Sequence, residues 1–163
     1  MTIHTTPIII PPLNANDSEA RIPKGTTVAL NDGGSATYVQ AGSEIARYDA
    51  VAIRVDQTVI SLTTAAATEG TGSTRQVGFA QTSIASGNYG WVQTSGRPIV
   101  KLAANCADQV ILFTTSTGGV LDDATVSASL IAGVVSKTTI SNATAVTCIV
   151  PHGAYVHPFV NPA

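Results

Sequence analysis

Short runs in which apolar residues alternate with small or polar ones recur along most of this chain, and each run ends at a turn signal. Residues 50–56 alternate in this way, and residues 57–62 repeat the pattern directly after them. A period of two, with many branched side chains, is the signature of a β-strand. Turns at intervals of roughly 8–12 residues are typical of a sandwich or a barrel. The sequence therefore predicts an all-β fold, an antiparallel β-barrel or sandwich.

The clearest tight turn is at residues 31–34, where Asn, Asp and two Gly tolerate a positive φ angle. Residues 63–74 are small and polar and predict a surface loop. Residues 121–132 could form a short helix, although their Thr, Val and Ser residues are poor helix formers. The remaining predicted strands are residues 26–30, 36–40, 76–81, 89–93, 98–102, 109–115, 130–135 and 145–150.

Two parts of the chain have a similar rhythm of strand, small-residue turn and returning strand. Gly78-Phe79-Ala80 leads to Trp91-Val92-Gln93 as Gly133-Val134-Val135 leads to Ala145-Val146-Thr147. An internal repeat would produce this similarity. Any two hairpins would also produce it, so the sequence leaves both interpretations open.

The first 26 residues differ from the rest because they are rich in proline. Each proline fixes φ and removes a backbone donor, which excludes a helix or a central strand. Apolar side chains lie between the prolines: Ile8, Ile9, Ile10 and Leu13. This segment either docks on a neighbouring molecule or folds back on its own barrel as an edge strand. We predict an extended proline-rich N-terminal arm, residues 1–26, and a single β domain, residues 27–163.

Charge is scarce in this chain. Charged residues make up 11% of the sequence, against roughly 25% in ordinary soluble domains, yet no apolar run approaches the roughly 18 residues of a membrane span. This pattern favours a protein whose surface is largely covered by other subunits, and a neutral-surfaced monomer is the alternative. The eight cations are scattered singly, so we expect no binding to nucleic acid or to anionic membranes.

Residues suited to catalysis are few. The histidines at positions 4, 152 and 157 lie near the termini without a third ligand, and no phosphate-binding motif occurs. Asp122 and Asp123 are adjacent, and neighbours on a strand point to opposite faces. Cys106 and Cys148 lie in apolar or small-residue contexts and predict two buried thiols rather than a disulfide. We therefore expect no enzyme, metal or cofactor, and, since no signal peptide is evident, synthesis in the cytoplasm without export.

Residues 89–96, Tyr-Gly-Trp-Val-Gln-Thr-Ser-Gly, carry a resemblance together with residues 77–81 before them and residues 119–123 after them. Residues 41–45 and 48–51 have the same style. Across residues 37–135 the chain resembles capsid decoration, or cement, proteins of tailed bacteriophages. The resemblance implies a β-rich protein, often trimeric, that sits on the outer capsid where capsid subunits meet and that has no catalytic residues or cofactors.

The resulting expectation is a structural virion protein on the capsid surface, made in the host cytoplasm. It would bind the major capsid protein, stabilise contacts between capsid subunits and form a homo-oligomer, with a trimer favoured. The alternative is a head–tail connector, tail or fibre-base protein that binds host glycan or other virion subunits. Trp91 serves either as a core residue or as a subunit-interface anchor. The candidate contact residues are Ile8, Ile9, Ile10, Leu13, Tyr89, Trp91, Tyr155 and Phe159.

Overall fold

A computed structural model of the chain describes residues 10–68, 75–124 and 129–157. Within these ranges lie twelve strands and one short helix, so the predicted all-β fold is confirmed. The strands are β1 (Thr27–Ala29), β2 (Ser35–Ala41), β3 (Ala50–Ile53), β4 (Thr58–Ser61), β5 (Arg75–Ala80), β6 (Tyr89–Ser95), β7 (Ile99–Leu102), β8 (Ile111–Thr114), β9 (Leu121–Asp122), β10 (Leu130–Ser136), β11 (Thr144–Ile149) and β12 (Ala154–His157). The helix is α1 (Thr64–Thr68).

Strands β2 to β6 close into a five-stranded barrel, which we call the first ring. Its strands follow the order β2, β4, β3, β5, β6 and back to β2, with β2 and β4 parallel and the other neighbours antiparallel. A buried apolar cluster fills it, including Val39, Ile45, Val51, Val59 and Val92. The predicted barrel is therefore present, with one parallel pair among its antiparallel neighbours.

Strands β7 to β11 form a second ring with the same connectivity. The order is β7, β9, β8, β10, β11 and back to β7, and the one parallel pair is β7 with β9. The strand register also agrees between the two rings. Val39 lies opposite Gly90 in the first ring, and the corresponding residues of the second ring, Val100 and Val146, also lie opposite each other. The two halves of the chain are thus a structural repeat.

The structural repeat covers all five strands of each ring, which is more than the sequence pattern indicated. The residues that correspond also differ from those that the pattern paired. The structural equivalent of Phe79 is Val135, because Phe79 lies opposite Ala50 as Val135 lies opposite Ile111. The rhythm had paired Phe79 with Val134. A register shift in β10 between Ile131 and Val135, where Gly133 has a φ of +84°, displaces the match.

The two rings pack against each other through the outer face of the first. Neighbouring residues of a strand point to opposite faces, so Val51 and Ile53 lie inside the first ring while Ala50 and Ala52 join the buried cluster of the second. Strand β12 reinforces this contact, because it pairs with β5 on one side and with β10 on the other.

The described part of the proline-rich segment, residues 10–26, lies against the outside of the first ring. Ala15 and Ile22 are buried with Tyr38 and Trp91, and Asp17 exchanges backbone hydrogen bonds of 2.9 and 2.7 Å with Tyr89. Strand β1 then pairs with β2. These residues fold back on their own barrel, so the predicted extended arm is not confirmed.

Three further segments differ from expectation. Part of the predicted loop at residues 63–74 is the helix α1, and residues 69–74 lie outside the described residues. The possible helix at residues 121–132 was not found: these residues contain β9 and the first residues of β10. Residues 125–128 lie outside the described part. Strand β12 was not predicted at all. In the described ranges, no helix is long and apolar enough to cross a membrane.

Candidate interaction surface

An ion pair between the rings joins a part-exposed lysine to a buried carboxylate. Lys101 Nζ donates to Asp49 Oδ1 at 2.6 Å. The other carboxylate oxygen, Oδ2, accepts hydrogen bonds from the Ala46 amide at 3.0 Å and from Ser61 Oγ at 3.3 Å. Because Asp49 is almost fully buried and all its partners are structural, this pair fixes the second ring on the first.

One cluster of possible metal ligands occurs in the described residues: the side chains of Cys106, Asp122 and Asp123 lie within 4.8 Å of one another. The expectation that the two carboxylates point apart does not apply, because β9 ends at Asp122. Asp123 Oδ2 accepts from the Ala107 amide at 3.0 Å, and its own amide donates to Asp122 Oδ1 at 2.9 Å. These bonds account for the positions of both carboxylates.

Both cysteines are buried, free thiols, as expected. Burial raises the pKa of Cys106 to about 11, and the neighbouring carboxylates Asp123 and Asp122 act in the same direction. Burial likewise raises the pKa of Cys148 to about 12. The thiolate is the form that attacks electrophiles and binds metals, so near neutral pH these thiols remain protonated and act as apolar core residues.

Large apolar side chains that face solvent are found at three places in the described residues. The first, which we call the arm ridge, consists of Ile10 and Leu13. The second, the hairpin groove, lies beside Val55 and Tyr155. The third, the β8–β10 patch, includes Ile111 and Val135. Exposed apolar groups are the ones that gain most when a partner covers them.

The arm ridge is held outward by its neighbours in sequence. Ile10 is 55% exposed and Leu13 is 50% exposed. Between them, Pro11 is buried and its carbonyl oxygen accepts a hydrogen bond of 3.1 Å from Trp91 Nε1. The Ala15 amide donates to the Pro12 carbonyl at 2.8 Å and closes a turn. The backbone is therefore anchored while the two apolar side chains project into solvent.

The hairpin groove has a volume of about 580 Å³ and lies between the β3–β4 turn and β12. Val55 is fully exposed at the tip of that turn. Asp56 Oδ1 accepts from the Thr58 hydroxyl at 2.7 Å and from its amide at 3.1 Å, and these bonds lower the pKa of Asp56. The turn is thus braced from within. Tyr155 on β12 forms the opposite wall.

The β8–β10 patch is a shallower groove of about 270 Å³. None of its lining residues is charged. Ile111 is 61% exposed, and Val135, 38% exposed, lies opposite it on the neighbouring strand. The lining residues are Gln109, Val110, Ile111, Leu130, Ile131, Ala132, Gly133, Val134 and Val135.

The predicted contact residues do not lie together. Ile10 and Leu13 are exposed on the arm ridge, and Tyr155 is exposed at the hairpin groove. Trp91 is buried, because the N-terminal segment covers it and Tyr38 packs against it edge-to-face at 5.1 Å. Tyr89 is half-buried and stacks on Tyr38 at 6.2 Å. Ile8, Ile9 and Phe159 lie outside the described residues.

Three exposed apolar residues were not among the contact residues predicted from the sequence: Val55, Ile111 and Val135. Ile111 belongs to the predicted strand at residues 109–115, and the strand pattern did not indicate which of its faces would be exposed. Val55 was expected to continue a strand, but β3 ends at Ile53 and the chain turns. The positive φ of Gln57, +62°, marks that turn, and no residue in the sequence signalled it.

Comparisons with protein families, with curated proteins and with solved structures gave no match to this chain. Its function is therefore inferred from its own surfaces and composition.

Proposed function

We propose that this chain is a structural virion protein that binds the outer surface of a tailed-phage capsid and stabilises contacts between major capsid protein subunits. The observation that carries the proposal is the arm ridge. Two large apolar side chains, Ile10 and Leu13, project from a segment whose backbone is anchored on the first ring. Covering them with a neighbouring subunit releases free energy without ordering new backbone in this segment.

The size of this effect suits a decoration protein. Full burial of a Leu or Ile side chain contributes about 1.5–3 kcal/mol, so the ridge supplies a modest attraction per copy. A protein that binds only the assembled shell stabilises it by mass action. Many copies on one shell then add up to a large stabilisation, even when each site is weak.

A non-catalytic role is part of the proposal. Among the described residues, the buried acid Asp49 is held by Lys101, and the buried thiols Cys106 and Cys148 stay protonated near neutral pH. General acid–base catalysis depends instead on groups whose pKa lies near the working pH. The low charge of the whole chain, 11%, supports a surface that is covered by neighbours.

The test is binding to shells of the encoding phage that lack this protein. A double variant, Ile10→Ser with Leu13→Ser, should lower occupancy about tenfold or more in a co-sedimentation assay, because the apolar contact is lost. The matched control, Ile10→Leu with Leu13→Ile, keeps the apolar surface and should bind like the wild type. Deleting residues 1–20 would be a poorer test, since it also removes Pro11 and Ala15 from Trp91.

Folding of each variant is checked by the fluorescence of Trp91, the single tryptophan, which should not change. Undiminished occupancy by the Ser variant would refute the role of the arm ridge. Wild-type protein that binds isolated tails or connectors but not shells would refute the capsid assignment itself.

A further inference from the structure

The two rings differ in what covers one equivalent face. In the first ring, Ala50 and Phe79 lie opposite each other with their side chains fully buried, in the cluster that includes the core of the second ring. Their equivalents in the second ring, Ile111 and Val135, also lie opposite each other but are 61% and 38% exposed. The face on which the second ring packs thus recurs, uncovered, as the β8–β10 patch.

The turn between β8 and β9 contacts the first ring at the start of β3. The Ala50 amide donates to the Gly119 carbonyl at 2.9 Å, and the Gly119 amide donates to the Leu62 carbonyl at 2.9 Å. Lys101 adds a backbone bond of 3.0 Å to the Tyr48 carbonyl. Inside one chain, therefore, the turn of the following ring docks at the start of β3.

The equivalent turn in the first ring is the β3–β4 turn, residues 54–57. It carries Val55, fully exposed at its tip, beside the hairpin groove. The molecule thus has an uncovered apolar face on the second ring and an uncovered turn on the first. Within one chain, the equivalent face of the first ring and the equivalent turn of the second ring already contact each other.

We propose that the β8–β10 patch of one copy binds the β3–β4 turn of a second copy, head to tail. The patch is lined by uncharged residues, and the turn presents Val55 between Arg54 and Asp56, whose charges are opposite. Docking this turn therefore places an apolar tip in an apolar groove without bringing a net charge there. The occupant is another copy because the equivalent turn of the second ring already hydrogen-bonds to the start of β3, beside the equivalent face.

A contact of this kind joins two different surfaces, so a pair of copies keeps one free patch, on one copy, and one free turn, on the other. Such heterologous contacts produce closed rings when the rotation between copies closes, and open chains when it does not. This inference rests on the duplicated fold and goes beyond the proposed function, since it holds whether or not the chain binds a capsid.

The experiment uses Val55→Asp and Ile111→Asp in the full chain, with masses measured by light scattering after size exclusion. Wild-type protein, at about 1 µM to about 1 mM, should assemble beyond a dimer as concentration rises. Each variant alone should remain near the chain mass of 16.6 kDa. An equimolar mixture should form dimers and no larger species, because the pair retains one intact patch and one intact turn that can meet.

Ala20→Asp is the control, since it places a charge at an exposed apolar residue outside both surfaces and outside the arm ridge, and it should assemble like the wild type. Ile111→Ser serves as a second patch variant if the Asp variant does not fold. Three outcomes would overturn the proposal: a wild-type monomer at all concentrations, normal assembly by Val55→Asp, or a variant mixture that stays monomeric.

Discussion

Gly119 lies at the contact between the two rings. Its φ angle is +74°, its carbonyl accepts from Ala50 and its amide donates to Leu62. The space that a side chain would need is occupied by the Asp49 carboxylate, which pairs with Lys101. A single position thus combines a left-handed backbone, two hydrogen bonds between the rings and the wall of a buried ion pair.

Replacing Gly119 by alanine should lower the free energy of unfolding by about 3 kcal/mol, because it strains the backbone and displaces Asp49 from its ion pair. Gly87 is the matched control, since its φ is +80° and nothing lies within 4 Å of the position of a new methyl group. Gly87→Ala should therefore cost only about 1 kcal/mol for the backbone. Urea unfolding followed by Trp91 fluorescence measures both, and equal losses would contradict the role of Gly119.

Among the elements, β12 has a special position because it is the strand that joins the rings edge to edge. Val156 lies opposite Arg75 on β5 and opposite Ile131 on β10. Ala154 and Val156 are fully buried in the cluster that the two rings share. Without this strand, β5 and β10 would each expose a row of unpaired backbone groups, which favours aggregation.

A chain truncated after Pro151 should therefore lose about 3 kcal/mol or more of stability, and amide exchange in β5 and β10 should accelerate. A shorter truncation that removes only residues 158–163 leaves β12 intact and is the control. Hydrogen-exchange mass spectrometry distinguishes the two. If both truncated chains exchanged alike and were equally stable, β12 would not be the link between the rings.

The sequence predicted elements better than it predicted their partners. Strands such as β2, β5 and β6 were predicted nearly at their observed bounds, because alternation and turn residues are local signals. Strand β9, with two residues, is too short to show a period. The sequence could not predict which apolar strand residues remain exposed, since Ala50 and Ile111 occupy equivalent positions and only Ala50 is covered by the other ring.

Two candidate contact residues of the proline-rich segment, Ile10 and Leu13, are exposed, and their role as contacts remains a prediction. Trp91 could not be assigned from the sequence alone, because its cover comes from Pro11, which is distant in the chain. Contacts of that range depend on the tertiary fold rather than on local pattern.

At the scale of the whole molecule, duplication accounts for most of the architecture. One ring of this size, five short strands around a small apolar centre, has little core of its own. Packing a second ring on its outer face buries both sides of β3, from Ala50 to Ile53. The same arrangement leaves one apolar face and one turn uncovered, which suits a protein that assembles with copies of itself and with neighbours.

The most direct test of the proposed structural role is electron cryomicroscopy of phage particles from the source of this chain. We predict density for the two rings on the outer surface of the shell, at contacts between major capsid protein subunits, with Ile10 and Leu13 against a neighbouring subunit. Density for the chain at the tail or the connector, or a shell whose outer surface carries no such density, would contradict a role as a capsid decoration protein.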